Sequence, residues 1–126
     1  MDFKEIYKAP FFADPYGMYI FGTDDPKDKS VVTALDITEW SERGEKMMKD
    51  LARLLNGEKV DTIFEPVSCE HDIITLSIGA QIRVRGWGFM SSRHNLDNEE
   101  MCKIQDNFAE WVVSKMREND KVNTIS

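Results

Sequence analysis

A chain of 126 residues that is 41% hydrophobic and 31% charged has ordinary globular composition and enough length for one modest core, which excludes a disordered or low-complexity protein. Sixteen lysines and arginines against 23 aspartates and glutamates leave a net charge of −7, which repels phosphate backbones and disfavours nonspecific nucleic-acid binding. No run approaches the ~20 apolar residues of a membrane helix, and MDFKEIYKAPFF lacks the basic-then-apolar order of a secretory leader, so the chain reads as cytoplasmic, with no membrane partner.

In chain order, APFFADPYGMYIFG places Pro10 and Pro15 around Phe11 and Phe12, then an apolar run Met18–Phe21 between Gly17 and Gly22. This predicts an irregular arm followed by a strand. TDDPKDKS is a loop, and SVVTALDI has the β-branched content of a second strand, so the two form a hairpin.

From Trp40 the period changes. Trp40, Met47, Met48, Leu51, Leu54 and Leu55 share a helical face, and Asn56-Gly57 is a stop signal, predicting a helix over about Glu39–Asn56 with Thr38 as N-cap. The Met47, Met48, Leu51 and Leu55 stripe reads as core, and Glu42 with Lys46 and Glu45 with Lys49 have i,i+4 pairing. Gly44 weakens such a helix by ~1 kcal/mol relative to alanine and suits a close-packing position. VDTIFEPV is a third strand, ended or held at an edge by Pro66, and SCEHD is a turn.

Ile74, Leu76, Ile78, Ala80, Ile82 and Val84 alternate with Thr75, Ser77, Gly79, Gln81, Arg83 and Arg85. A two-residue turn at Gly79-Ala80 would pair Leu76 with Arg83 and put arginine on the buried face, so parity excludes it. One long strand bent at Gly79 is preferred over a hairpin with a three-residue connection.

The last element runs from about Asn98 to Arg117, with Met101, Ile104, Phe108, Trp111, Val112 and Met116 as its apolar stripe. Asp97 caps it, Glu100 completes a capping-box arrangement and Leu96 staples against Met101. The tail ENDKVNTIS frays, giving one domain over residues 1–120 and a tail over 121–126. These elements predict a two-layer α+β fold: a mainly antiparallel bent sheet of four to five strands, two amphipathic helices on one face, order ββαββ(β)α. A long strand with an unpaired edge leaves homodimerisation open.

IRVRGWGF, Ile82–Phe89, lies in the most positive stretch. In a continuing strand Arg83, Arg85, Trp87 and Phe89 share one face, and Gly86 and Gly88 on the other make room for a helix carrying Trp40 or Trp111. Scaffolding is the simplest role; the functional one makes Arg83, Arg85 and Trp87 a platform for an anionic or planar group. Arg93 and His94 of SSRHN, ahead of a helix start, are further contact candidates for an anion. Cys69, His71 and Asp72 bring a nucleophile and a base close in sequence without the convergence that catalysis or a metal needs. No catalytic residue, metal set or cofactor is assigned. Asp24, Asp25 and Asp28 lack EF-hand spacing and read as a solvated turn. Cys69 and Cys102 lie apart with no CxxC motif and read as reduced thiols.

RGWGF at Arg85–Phe89 together with IQDNFAEW at Ile104–Trp111 resembles a group of small phage and prophage proteins that carry an RGWG strand end and an IQD-F-W helix. The resemblance covers the second half only. It implies an α+β fold and a mobile-element origin, and it supplies no catalytic residues. The combined reading is a small acidic, non-catalytic protein-binding or accessory protein. Its sharpest form inhibits a host protein, with carboxylates imitating nucleic-acid phosphates. The alternative is small-ligand or single-stranded nucleic-acid binding through Arg83, Arg85 and Trp87.

Overall fold

A computed structural model describes residues 2–25 and 30–124, without the side chains of Asp24, Asp25 and Ser30; the expectation for the carboxylates of Asp24, Asp25 and Asp28 lies outside the described residues. After a 3-10 turn (Phe3–Glu5) come β1 (Lys8–Ala13), β2 (Tyr19–Asp25), β3 (Ser30–Ile37), α1 (Glu42–Leu55), β4 (Pro66–Glu70), β5 (Ile73–Leu76), β6 (Gln81–Val84), α2 (Trp87–Arg93) and α3 (Asn98–Thr124). The α+β class is as expected, but among the described residues the sheet has six strands rather than four to five, and there are three α-helices rather than two.

The sheet is antiparallel throughout, in the order β1-β2-β3-β6-β5-β4. Each half is thus a three-strand meander followed by helix, and the two meanders join at β3–β6. Inside the sheet, Ile20, Val32, Leu35, Ile37, Ile74, Leu76, Ile82 and Val84 are buried with Met48 and Leu51 of α1 and Phe108 and Val112 of α3. Ala34 and Leu35 are consecutive buried residues, which period two forbids. The register explains it: Ile20 opposes Leu35 while Phe21 opposes Thr33, so Ala34 is the extra residue of a bulge.

The arm expected before the first strand is itself strand β1, despite the cis Ala9-Pro10 bond. As an edge strand it tolerates proline. The Asn56 side chain stands where a further strand would be, its Oδ1 accepting from Phe11 N and its Nδ2 donating to Phe11 O, both at 2.7 Å. The helix-stop residue thereby closes a sheet edge.

Helix α1 is capped by Ser41, whose Oγ accepts from Gly44 N at 3.2 Å, not by Thr38. Thr38 instead continues the sheet, bonding Gln81 through its backbone N–H and its hydroxyl oxygen, both at 2.9 Å. Trp40 therefore lies outside the helix, 70% exposed, and not on its core face. Gly44 is the close approach expected: a Cβ there would lie 2.0 Å from the Glu39 carbonyl oxygen. Lys49 pairs with Glu45 at 2.8 Å as expected, whereas Lys46 reaches Asp50 and Asp61 rather than Glu42.

Asp50 is buried on α1 and accepts from the Thr62 hydroxyl and from Lys46 Nζ at 2.9 Å. Burial alone pushes this carboxyl up, but the Thr62 hydroxyl with the Lys46 and Arg53 cations outweighs it and holds the group below the usual carboxylate range. A depressed folded-state value contributes stability above the unfolded value of about 3.9, lost as pH falls through the folded one. Asp50→Asn is expected to cost about 1 kcal/mol at neutral pH in urea denaturation, with the difference from wild type vanishing through the acid range. A pH-independent difference contradicts this.

Residues 60–65, expected as a strand, lie outside the sheet because α3 supplies their partners. Asn119 accepts from Val60 N at 3.2 Å and donates to Thr62 O at 3.0 Å, Asn123 donates to Val60 O at 2.8 Å, and the Asp120 carboxylate accepts from Phe64 N and Glu65 N, each at 2.8 Å. These bonds tie down the segment expected to fray, and α3 continues past Arg117 to Thr124. Asp97 caps its start as expected, accepting from Glu100 N at 2.8 Å.

The expected long bent strand is a hairpin. Ile74 opposes Ile82 and Leu76 N donates to Ala80 O, so Ser77, Ile78 and Gly79 form the connection. Gly79 takes φ +92°, as three-residue hairpins require at that place. The expected SCEHD turn reduces to His71-Asp72, since β4 runs through Glu70.

Candidate binding surface and adjoining cleft

The outer face of the sheet carries a row formed by Tyr19, Asp36, Arg83 and Ile73, set opposite one another across β2, β3, β6 and β5. Pairing of β3 with β6 aims Asp36 at Arg83, whose Nε lies 2.8 Å from Oδ1 and Nη2 3.0 Å from Oδ2, a two-pronged fork. Arg85 Nη1 lies 3.5 Å from the same Oδ2. The bond to Asp36 pushes the Arg83 guanidinium up from its already high value. Both side chains stay half in water, 42% and 51% exposed, so the outward orientation read from the alternation holds. The shared carboxylate, a polar alternate position inside LDI, offsets one of the two charges.

Beside this row, Phe12, Phe21 and Tyr19 form an aromatic group with centroids 5.4 Å and 6.4 Å apart. Phe12 is 44% exposed and Val31 is exposed nearby on the same face. These residues escape notice in the sequence because the arm holding Phe12 does not read as strand.

Trp87 does not join that face. Arg85 N makes one more ladder bond to Ala34 O at 2.8 Å, and Gly86 then turns at φ +94° to become the N-cap of α2. A Cβ at Gly86 would lie 2.9 Å from Thr33 O, whereas Gly88 has open space around it. The close approach is thus to β3, not to a helix carrying Trp40 or Trp111, and only one of the two glycines makes it. Period two stops at Arg85 because a left-handed residue ends a strand.

Trp87 and Phe89 instead line a cleft of 360 Å³ with Asp72, Arg85 and Gln105. Behind its lining, three segments far apart in sequence meet at Arg85 and Gln105. Tyr7 donates its hydroxyl to Arg85 O at 2.6 Å, and Gln105 Nε2 lies 3.2 Å from that hydroxyl oxygen and 3.3 Å from Arg85 O. Burial pushes the Tyr7 phenol up to about 12, with the Gln105 bond lowering it and the Asp72 charge raising it, so it stays a neutral donor. Arg93 and His94 lie at the far end of α2, outside this cleft.

Cys69 Sγ is 4.0 Å from the His71 carbonyl oxygen, and His71 Nδ1 is 3.9 Å from Asp106 Oδ2. Burial, then Glu110 and Asp106, push the Cys69 thiol up, the opposite of nucleophile activation. Cys69 and Cys102 are both free, and among the described residues no cluster of metal-ligating side chains forms and no helix is long and apolar enough to cross a membrane. No known protein family, curated protein or solved structure matches this chain.

Proposed function

We propose that this protein is a small acidic, non-catalytic accessory protein that works by contact with another protein, using the outer sheet face. The observation that carries the reading is that face itself: exposed Phe12 and Val31 beside Tyr19 and Phe21, bordered by the Asp36–Arg83–Arg85 group. Aromatic and arginine side chains grouped on one open surface are what protein contacts use for most of their binding energy. The net charge of −7 supports a basic partner. The RGWGF and IQDNFAEW combination supports a phage or mobile-element setting in the cytoplasm, where a host protein is the natural target.

Crosslinked pull-down from host lysate tests this. The wild-type protein is expected to enrich a discrete partner and Phe12→Arg to lose it by about tenfold, with an unchanged circular-dichroism spectrum. Equal capture by the variant removes the sheet face from the reading, and absence of any enriched partner removes the function.

Ligand or nucleic-acid contact through Arg83, Arg85 and Trp87 is the second reading. Arg85 and Trp87 support it by lining one cleft, while Arg83 is occupied by Asp36.

A further inference from the structure

We infer that the cleft between the end of β6, the start of α2 and α3 is a binding site for a guanine base, read by Asp72, Gln105 and Arg85. This deepens the second reading and uses a surface separate from Phe12, so it and the protein-contact reading can fail independently.

The orientation of Gln105 is the starting point. The Arg85 carbonyl oxygen can only accept, so the Gln105 atom 3.3 Å from it is the amide nitrogen. The same nitrogen reaches the Tyr7 oxygen, whose own proton goes to Arg85 O. Both amide donors are therefore committed to these two oxygens. The amide oxygen at the other end accepts no hydrogen bond among the described residues, although the residue is only 3% exposed and lines the cleft. That oxygen is open to the cleft rather than sealed in the core, so it is free to accept from a donor that enters.

Asp72 supplies a second acceptor. Its half-buried carboxylate also lines the cleft and takes no hydrogen bond or ion pair among the described residues. The cleft thus offers two acceptors, one of them charged, in a wall that Arg85 shares, with its guanidinium 3.5 Å from Asp36 at the border of the outer sheet face. The rings of Trp87 and Phe89 add apolar wall.

That pattern selects among bases. Guanine presents two adjacent donors, N1–H and N2–H2, and its O6 and N7 are the acceptors arginine binds best. Adenine sets one donor beside an acceptor, cytosine one donor beside two acceptors and uracil one donor between two acceptors, so none has two adjacent donors and each would set an acceptor against Asp72 or Gln105, leaving two lone pairs facing each other. Aromatic rings in the wall favour a planar ligand by stacking, and 360 Å³ is within the range of small-molecule sites. The base can come from a free nucleotide or from a single strand.

The test titrates the full protein with GMP, AMP, CMP and UMP, and with a short uridine oligomer with and without one guanine, by calorimetry and tryptophan fluorescence. The expected result is guanine binding at least about tenfold tighter than adenine, and at least about tenfold weaker in Asp72→Asn, which exchanges an acceptor for a donor. Gln105→Met is expected to weaken it likewise, and Asp72→Asn to melt as wild type does. Binding of GMP identifies the free nucleotide as source; binding of the guanine oligomer alone identifies the strand. No binding in either arm, equal affinity for guanine and adenine, or undiminished binding by a folded Asp72→Asn overturns the proposal.

Discussion

Gly86→Ala is expected to destabilise the protein by about 3 kcal/mol in urea denaturation, while Gly88→Ala, two residues away, costs nothing and gains up to about 1 kcal/mol. The two glycines look equivalent in RGWG but differ in backbone and surroundings. Gly86 sits at φ +94°, where an added Cβ is strained, and that Cβ would meet the Thr33 carbonyl oxygen at 2.9 Å and a Val32 methyl at 3.1 Å. Neither can retreat, because Arg85 N is bonded to Ala34 O beside them. Gly88 lies in the first turn of α2 with nothing within 4 Å, so alanine there only improves helix propensity. If the RGWG segment were extended strand with both glycines beneath a helix, the two substitutions would cost alike, and that outcome contradicts the turn described here. Because the Gly86 turn also positions Arg85 and Trp87 in the cleft, the same variant is expected to weaken any ligand bound there.

Phe108→Ala is expected to cost about 4 kcal/mol, and Phe108→Leu about 1.5 kcal/mol, which keeps the measurement available if the alanine variant does not fold. Phe108 is fully buried at the centre of a ring cluster. Tyr7 stacks on it at 4.3 Å, and the rings of Phe3, Trp111 and Phe11 lie 5.8, 5.9 and 6.2 Å away. Removing the ring opens a cavity and unseats the N-terminal segment from α3. A domain is stable by only about 5–15 kcal/mol in total, so this single ring decides much of it. Tyr7 also bonds Arg85 and Gln105 behind the cleft, so the Leu variant tests the link between packing and site: its Tyr7 bond to Arg85 O loosens as the stack is lost. A loss below about 1 kcal/mol for Phe108→Ala would show that the cluster closes over the gap.

The outward-facing arginines show how far alternation alone carries. Parity with Ile82 and Val84 places Arg83 and Arg85 outward, and the sheet keeps them in water. Extending the same parity to Trp87 failed at one left-handed glycine. Asp36, which occupies Arg83, and Gln105 and Tyr7, which bond at the back of the cleft, carry no local signal, since each acts on residues 20 to 98 positions away.

By itself the sequence determined what rests on short-range periodicity and capping: the α+β class, the core stripes of α1 and α3, the Asp97 cap, the close packing at Gly44, and the exclusion of a two-residue turn between Ile74 and Val84. Only the tertiary structure decided that a proline-bearing arm becomes edge strand β1, that Asn119, Asp120 and Asn123 draw residues 60–65 away from the sheet and keep α3 helical to Thr124, and that Gly86 turns Trp87 into a cleft. The physical reason is that a backbone group needs a hydrogen-bond partner without regard to its source. When a strand or helix supplies the partner, the local pattern betrays it; when a distant asparagine or aspartate side chain does, nothing nearby in the sequence records the bond.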